Sequence, residues 1–375
     1  MQPVSGAEPE PAFEAAKRLF FEGLAALQSG RFEDAEQSFV ASLAAVPGRP
    51  STLLNLATTR LKLHRPVEAI AAADAVLTTQ ADDVDALAIR AMALARMGLH
   101  EQALAAYDRV VALDPRLAEM WSQRGSLLRE MGRLEAAGAS FEQARARGDD
   151  SELNGYFLAA VAGGTPPRSA PARYVESLFD DYSSEFDEHL VDVLGYRAHI
   201  VLAENIPGRG TRLYGAALDL GCGTGLCGPL VKPHVAHLIG VDLAARMLEE
   251  ARALGVYDRL DHAELVAWLD ANRATFDLIV SADVLIYLGD LEPLFAGVRR
   301  ALAPGGVFSF SIELADGGGD AAFTLQPSLR YTHSEHHVVQ LAARHGLVVT
   351  RSLRAPIRED QKQTVDGLYC YLTRD

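Results

Sequence analysis

Through the first 150 residues, apolar positions recur at helical spacing in alanine- and leucine-rich segments, a pattern that predicts paired amphipathic helices. The pattern repeats. Gly30, His64, Gly98 and Gly132 stand 34 residues apart, as do Ala35, Ala69, Ala103 and Ala137, and four residues after these alanines come Phe39, Ala73, Tyr107 and Phe141. The expected units are 16–49, 50–83, 84–117 and 118–151, with Pro47 and Pro115 closing the first and third. One helix pair cannot bury its apolar face alone, so the array needs several units and a terminal cap, for which 152–162 is the candidate.

The pattern breaks at GGTPPRSAP (163–171), where a domain junction is expected. Beyond it, 174–194 and 195–206 have helical character. From Leu213 onward, short β-branched runs at 213–220, 236–242, 259–263, 276–282, 306–312, 347–353 and 367–373 alternate with amphipathic segments. Strand and helix alternation predicts a doubly wound, largely parallel, seven-stranded sheet with ligands beyond the carboxyl ends of its strands. The expected division is a start at 1–12, a repeat solenoid at 13–163, a linker at 164–172 and an α/β domain at 173–375.

Composition narrows the possibilities. The 375 residues carry a formal charge of −15, and neither half is a basic island, which disfavours nucleic acid as a partner. Residues 1–10 lack the basic and apolar regions of a signal peptide, and no uncharged apolar run is long enough to span a bilayer. Three cysteines, Cys222, Cys227 and Cys370, without zinc-type pairing fit a reducing compartment, so a cytoplasmic protein without bound metal is expected.

The stretch ALDLGCGTGLCG (217–228) admits two registers. Gly223, Gly225 and Gly228 fit the dinucleotide pattern G-x-G-x-x-G, with Asp242 placed for a ribose. The strand ends at Leu220, so the first loop glycine is Gly221 and that match starts two residues late. Asp219, Gly221, Gly223 and Gly225 fit a second pattern, in which a carboxylate precedes the loop. A carboxylate there opposes a pyrophosphate and favours a ligand carrying an ammonium group.

The 34-residue period resembles the tetratricopeptide repeat, a fold whose concave groove binds peptides or partner proteins; a rigid spacer is the plainer alternative. LDLGCGTG (218–225), LIGVDLAARMLEEAR (238–252), FDLIVSADVLIYL (276–288) and LAPGGVFSFSIE (302–313) together resemble class I S-adenosylmethionine-dependent methyltransferases. With YVESLFDDYSSEFDEHLVDVLGYR (174–197), nearly the whole chain is similar to bacterial methyltransferases bearing tetratricopeptide repeats. The implied architecture is α plus α/β: an all-α solenoid, then a Rossmann-like domain.

The resemblance implies that Asp219 and the Gly221-Cys222-Gly223 and Gly225 backbone lie against the methionine part of S-adenosylmethionine, with Cys222 and Cys227 as small loop fillers. Asp242 would accept from both ribose hydroxyls, Leu243 and Met247 would flank the adenine, and Ala263 with Glu264 would reach its amino group. Ser281 and Asp283 would lie near the sulfonium and the acceptor, and Tyr182, with Tyr174 and Phe186, would form a lid. Candidate bases are Asp283, Tyr287, His333 and His189, although a structural role is the stronger reading: Tyr287 packing under the loop, His189 capping a helix, and His333 as a solvated residue before a helix capped by Ser334.

SADV (281–284) lacks the Asn/Asp-Pro-Pro-Tyr/Phe motif of many exocyclic-amine methyltransferases, which leaves a protein side chain or a small molecule as acceptor. Two other functions stay open. One is a non-catalytic interaction protein that retains the fold, and the other is a nicotinamide-dependent oxidoreductase.

Overall fold

The computed structural model describes residues 11–180, 195–315, 321–360 and 363–375, in two compact units that divide between Asn154 and Gly155. The first unit is a succession of helical hairpins: Ala12–Gln28 with Phe32–Ala45, Pro50–Lys62 with Pro66–Leu77, Val84–Arg96 with His100–Leu113, and Ala118–Glu130 with Leu134–Arg145. Their bounds follow the expected units. Pro50 and Pro66 open helices at first-turn positions where no N–H is needed, and Asp83 caps another by accepting from Ala86 N at 2.8 Å.

The 34-residue period has two physical sources. Ala35, Ala69, Ala103 and Ala137 are fully buried, so each marks a position where only a small side chain lets helices meet. A Cβ on Gly23 would lie 2.6 Å from the Phe39 ring, and one on Gly125 would lie 2.7 Å from the Phe141 ring. Each aromatic therefore fills a notch in its own hairpin. Phe39 shares a buried cluster with Leu56 of the next hairpin.

The second source is the turn. Gly30, Gly98 and Gly132 have φ of 70° to 72°, and His64 adopts 57° at the equivalent place. Glycine reaches this region freely, whereas a residue with a Cβ does so at a cost.

Among the described residues, the second unit is built on a nine-stranded sheet: β1 (Tyr214–Leu220), β2 (Val235–Asp242), β3 (Arg259–His262), β4 (Phe276–Ser281), β5 (Leu302–Leu314), β6 (Phe323–Leu325), β7 (Tyr331–His333), β8 (Leu347–Asp360) and β9 (Gln363–Arg374). The order β3-β2-β1-β4-β5 is parallel throughout, and β9 joins β5 antiparallel and carries β8. Alternate residues serve opposite faces. Leu218, Ile279, Phe308 and Leu372 belong to one core, while Ala217, Leu278, Val307 and Tyr371 belong to the other.

Two strands exceed the seven expected. β6 and β7 form a short hairpin between β5 and the helix Glu335–Arg344, and β7 meets the end of β5 at Glu313 and Leu314. Three residues per strand are too few for an alternating pattern to show in sequence.

The stretch expected as a linker makes hydrogen bonds to this unit. Ala170 N donates to Tyr287 O at 2.8 Å, Gly289 N donates to Arg168 O at 2.8 Å, and Tyr331 OH donates to Pro167 O at 2.8 Å. The candidate repeat cap, Glu152–Ala162, spans the division between units; its Tyr156 is buried with Ala170, Leu329 and Tyr331 in the second. Among the described residues, no helix is long and apolar enough to cross a membrane.

His64 supplies a test of the turn. Replacing it with glycine should stabilise the repeat unit by up to about 1 kcal/mol by relieving the left-handed backbone. Urea unfolding followed by circular dichroism should show a higher midpoint for His64→Gly, and an unchanged or lower one would contradict this account.

Candidate functional site

The carboxyl ends of β1, β2 and β4 converge on the glycine turn after Leu220. Gly221 and Cys222 donate backbone N–H bonds to Val241 O at 2.8 and 3.1 Å, which ties the turn to β2. Asp242, at the end of β2, does the rest. Its Oδ2 accepts from Gly223 N at 2.8 Å and its Oδ1 from Ala244 N at 2.9 Å, so one carboxylate pins both the turn and the start of the helix Ala245–Ala253. Asp242 remains partly exposed, and each oxygen keeps lone-pair capacity for a further donor.

The four glycines have different duties. All three of Gly221, Gly223 and Gly225 have positive φ, at 71°, 55° and 95°. A Cβ on Gly221 would lie 2.5 Å from Val284 Cγ2, and one on Gly225 would lie 2.8 Å from Leu254 Cδ1. Those two are required by packing. Gly223 has nothing within 4 Å of its Cβ position, so packing does not require its missing side chain. A Cβ on Gly228 would lie 2.8 Å from both Val256 Cγ2 and Tyr257 Cε2, so this glycine too is required by packing.

Asp219 is 1% exposed and accepts a bond from Tyr257 OH at 2.7 Å. Burial pushes its carboxyl up to about 7; the tyrosine bond opposes the shift and the nearby Asp242 adds to it. Burial likewise raises Asp242, against the pull of its backbone donors. A site with two carboxylates held above their ordinary range suits a cationic ligand and opposes a pyrophosphate. Nothing in the sequence marked Tyr257 as the partner of Asp219.

Other expected residues fall into place unevenly. Leu243 is partly exposed beyond β2, Ala263 N donates to Asp242 O at 2.9 Å, and Met247 is buried in helix packing. Cys222 and Cys227 are buried and free of disulfides, and Cys222 Sγ lies 2.9 Å from the Cβ position of Gly240. Glu264 is drawn into a local role. Its carboxylate caps the helix Leu265–Ala271, accepting from Val266 N at 3.0 Å and Ala267 N at 2.8 Å, instead of standing free. Ser281 is fully buried and donates to Leu220 O at 2.9 Å, bracing β4 against β1. Tyr182, Phe186 and His189 lie outside the described residues.

His333 departs from expectation. It is fully buried in β7, with Nε2 bonded to Leu288 O at 2.8 Å, and burial depresses its imidazole to about 4. The solvated position expected before the helix does not exist, because the β6–β7 hairpin encloses it. Ser334 does cap the following helix, accepting from His337 N. Tyr287 is partly buried, its ring edge-on to Phe179 with centroids 5.6 Å apart, and its hydroxyl bonded to Arg330.

Around Asp283 the structure assembles a group of charges that sequence reasoning missed. Arg358, from β8, is 2% exposed; its Nη1 donates to Asp283 Oδ2 at 2.8 Å and its Nη2 to Glu313 Oε1. Asp283 has φ of 58°, and its backbone N–H donates to Ser311 Oγ at 2.8 Å. Glu313 was legible in principle, since it ends the fifth strand as Asp283 follows the fourth. Arg330 and Arg358 carried no such signal.

Comparisons with known proteins agree with this layout. Residues 218–308 match the family model of a methyltransferase domain, and 26–93 and 90–152 match two tetratricopeptide repeat models. Trans-aconitate 2-methyltransferase of Pseudomonas paraeruginosa is 30% identical over 40% of this chain and 60% of its own length. A malonyl-[acyl-carrier protein] O-methyltransferase of Enterobacter lignolyticus is 28% identical over 38% of this chain and 54% of its own. The chain thus spans little more than half the length of these curated relatives. Among solved structures, a 1,6-didemethyltoxoflavin-N1-methyltransferase of Burkholderia thailandensis superposes with a TM-score of 0.44 at 21% identity, over 56% of this chain and 93% of that one.

Asp219 gives a pH dependence whose sign follows from its raised carboxyl. An unfolded aspartate titrates near pH ~3.9, so in the ligand-free protein stability falls as pH rises from about 4 and the full penalty is present above 7. Asp219→Asn removes that term. Thermal unfolding at pH 5 and pH 8 should show the variant gaining on the parent at the higher pH, and equal pH dependence in the two proteins would refute the assignment. The chain carries a methyltransferase domain preceded by tetratricopeptide repeats.

Proposed function

We propose that this protein is an S-adenosylmethionine-dependent methyltransferase. The observation that carries the reading is the pair of strand-end carboxylates, Asp219 and Asp242, flanking a turn whose Gly223 opens onto unfilled space. The residues fit the cofactor. Asp219 and the Gly223 backbone would hold its methionine portion, Asp242 would accept from the ribose hydroxyls, and Leu243 would lie against the adenine. Glu264, already capping a helix, supports the adenine amino group less well than Ala263 and its neighbouring backbone.

When bound, S-adenosylmethionine supplies a methyl group on a positively charged sulfur, open to in-line displacement. The protein's task is then to align the acceptor and exclude water. Asp283 and Tyr287 stand at the β4 end to meet the acceptor, and Val284, beside Asp283, packs directly on Gly221 of the turn. The names of the relatives, for trans-aconitate and for malonyl on acyl-carrier protein, favour an acceptor that is a small molecule or is borne on a carrier protein. A protein side chain remains the second acceptor class. We assign the repeats the recruitment of a protein partner or of the substrate.

Calorimetry with S-adenosylhomocysteine and NAD side by side tests the reading: the former should bind and the latter should not. Binding of NAD alone would overturn it. Asp242→Ala should weaken S-adenosylhomocysteine by about 100-fold, as expected for losing charge-assisted bonds together with the pin on the turn.

A further inference from the structure

Asp283 is built to receive a hydrogen bond that the described residues do not provide. Its Oδ2 is held by Arg358 and its N–H by Ser311 Oγ, while Oδ1 is buried without a hydrogen-bond partner among the described residues. A carboxylate oxygen removed from water retains its demand for a donor. The residue's left-handed backbone, uncommon for a side chain with a Cβ, holds it in this position next to Val284, which touches Gly221 of the cofactor turn.

The neighbouring charges decide what kind of donor fits. Arg358 bridges Asp283 and Glu313, and Arg330 is bonded to the Tyr287 hydroxyl with both carboxylates in its field. Two guanidiniums therefore already face two carboxylates. An acceptor arriving as a carboxylate would bring a third negative charge to a buried, balanced group and would offer no proton to Oδ1. A hydroxyl or amine would satisfy it.

We propose, resting on the methyltransferase reading above, that the methyl acceptor is a hydroxyl or amine whose proton is taken by Asp283 Oδ1. The acceptor's lone pair forms the new bond to the methyl carbon. The carbon–sulfur bond breaks with its electron pair left on sulfur, giving neutral S-adenosylhomocysteine, and the O–H or N–H proton passes to Asp283. This acceptor class differs from the carboxylic acids named by the two relatives above.

The test uses the full-length chain, methyl-labelled S-adenosylmethionine, and a panel of phenols, alcohols, amines and carboxylic acids alongside a cell extract. Labelled product is then treated with alkali, which releases methanol from carboxyl methyl esters and leaves methyl ethers and methylamines intact. Alkali-stable product is expected. In Asp283→Asn, transfer should fall by about 10²-fold or more while S-adenosylhomocysteine affinity stays within about twofold of the parent by calorimetry.

Alkali-labile product, undiminished transfer by Asp283→Asn, or a parallel loss of S-adenosylhomocysteine binding in that variant would each overturn the inference. Absence of transfer to every member of the panel and the extract, with S-adenosylhomocysteine still bound by the parent, would overturn it too and leave the cofactor site standing. Failure of the parent to bind S-adenosylhomocysteine would instead bring down the reading beneath it.

Discussion

The site depends on one carboxylate, Asp242, doing two jobs at the end of β2. By accepting from Gly223 N and Ala244 N it sets the path of the turn after β1 and the start of the next helix together. A turn with three residues at positive φ has little internal order of its own, so an external anchor with two strong acceptors is what gives it a single shape. Because Asp242 stays partly exposed, the same group that organises the loop can also receive a ligand.

Asp219 adds a constraint of opposite character. It is buried beneath the turn, accepts a hydrogen bond from Tyr257 OH, and has its carboxyl raised by burial. That arrangement costs stability in the absence of a ligand, and the cost is recovered only by something that favours the charged form. The site is thereby biased toward cations through the dielectric of its surroundings, over and above any direct contact. The Asp283 group solves the related problem differently, with Arg358 bridging two carboxylates and one oxygen of Asp283 left without a hydrogen-bond partner among the described residues.

Much of the fold was legible because it rests on short-range rules. The repeat period follows from helix geometry: a small residue and an aromatic must recur wherever one helix crosses another, and a residue tolerant of positive φ must recur at each turn. The parallel strands were legible because both faces are buried and their apolar runs are continuous. Asp219, Asp242 and Asp283 were found because the ends of parallel strands are where such sheets present side chains to ligands.

What the sequence by itself determined were the two kinds of architecture, the strand-end acids and the glycine turn, since each is encoded within a few residues of itself. Tertiary structure alone decided that Tyr257 answers Asp219 across 38 residues and that Arg358 reaches Asp283 across 75. It also enclosed His333 behind a hairpin too short to read, turned Glu264 toward its own helix, and gave Gly221 and Gly225 to packing while leaving Gly223 open. The physical reason is common to all of these. Spacing along a chain specifies which backbone shapes recur, whereas the partner of a buried polar atom is set by what the folded sheet brings within about 3 Å of it.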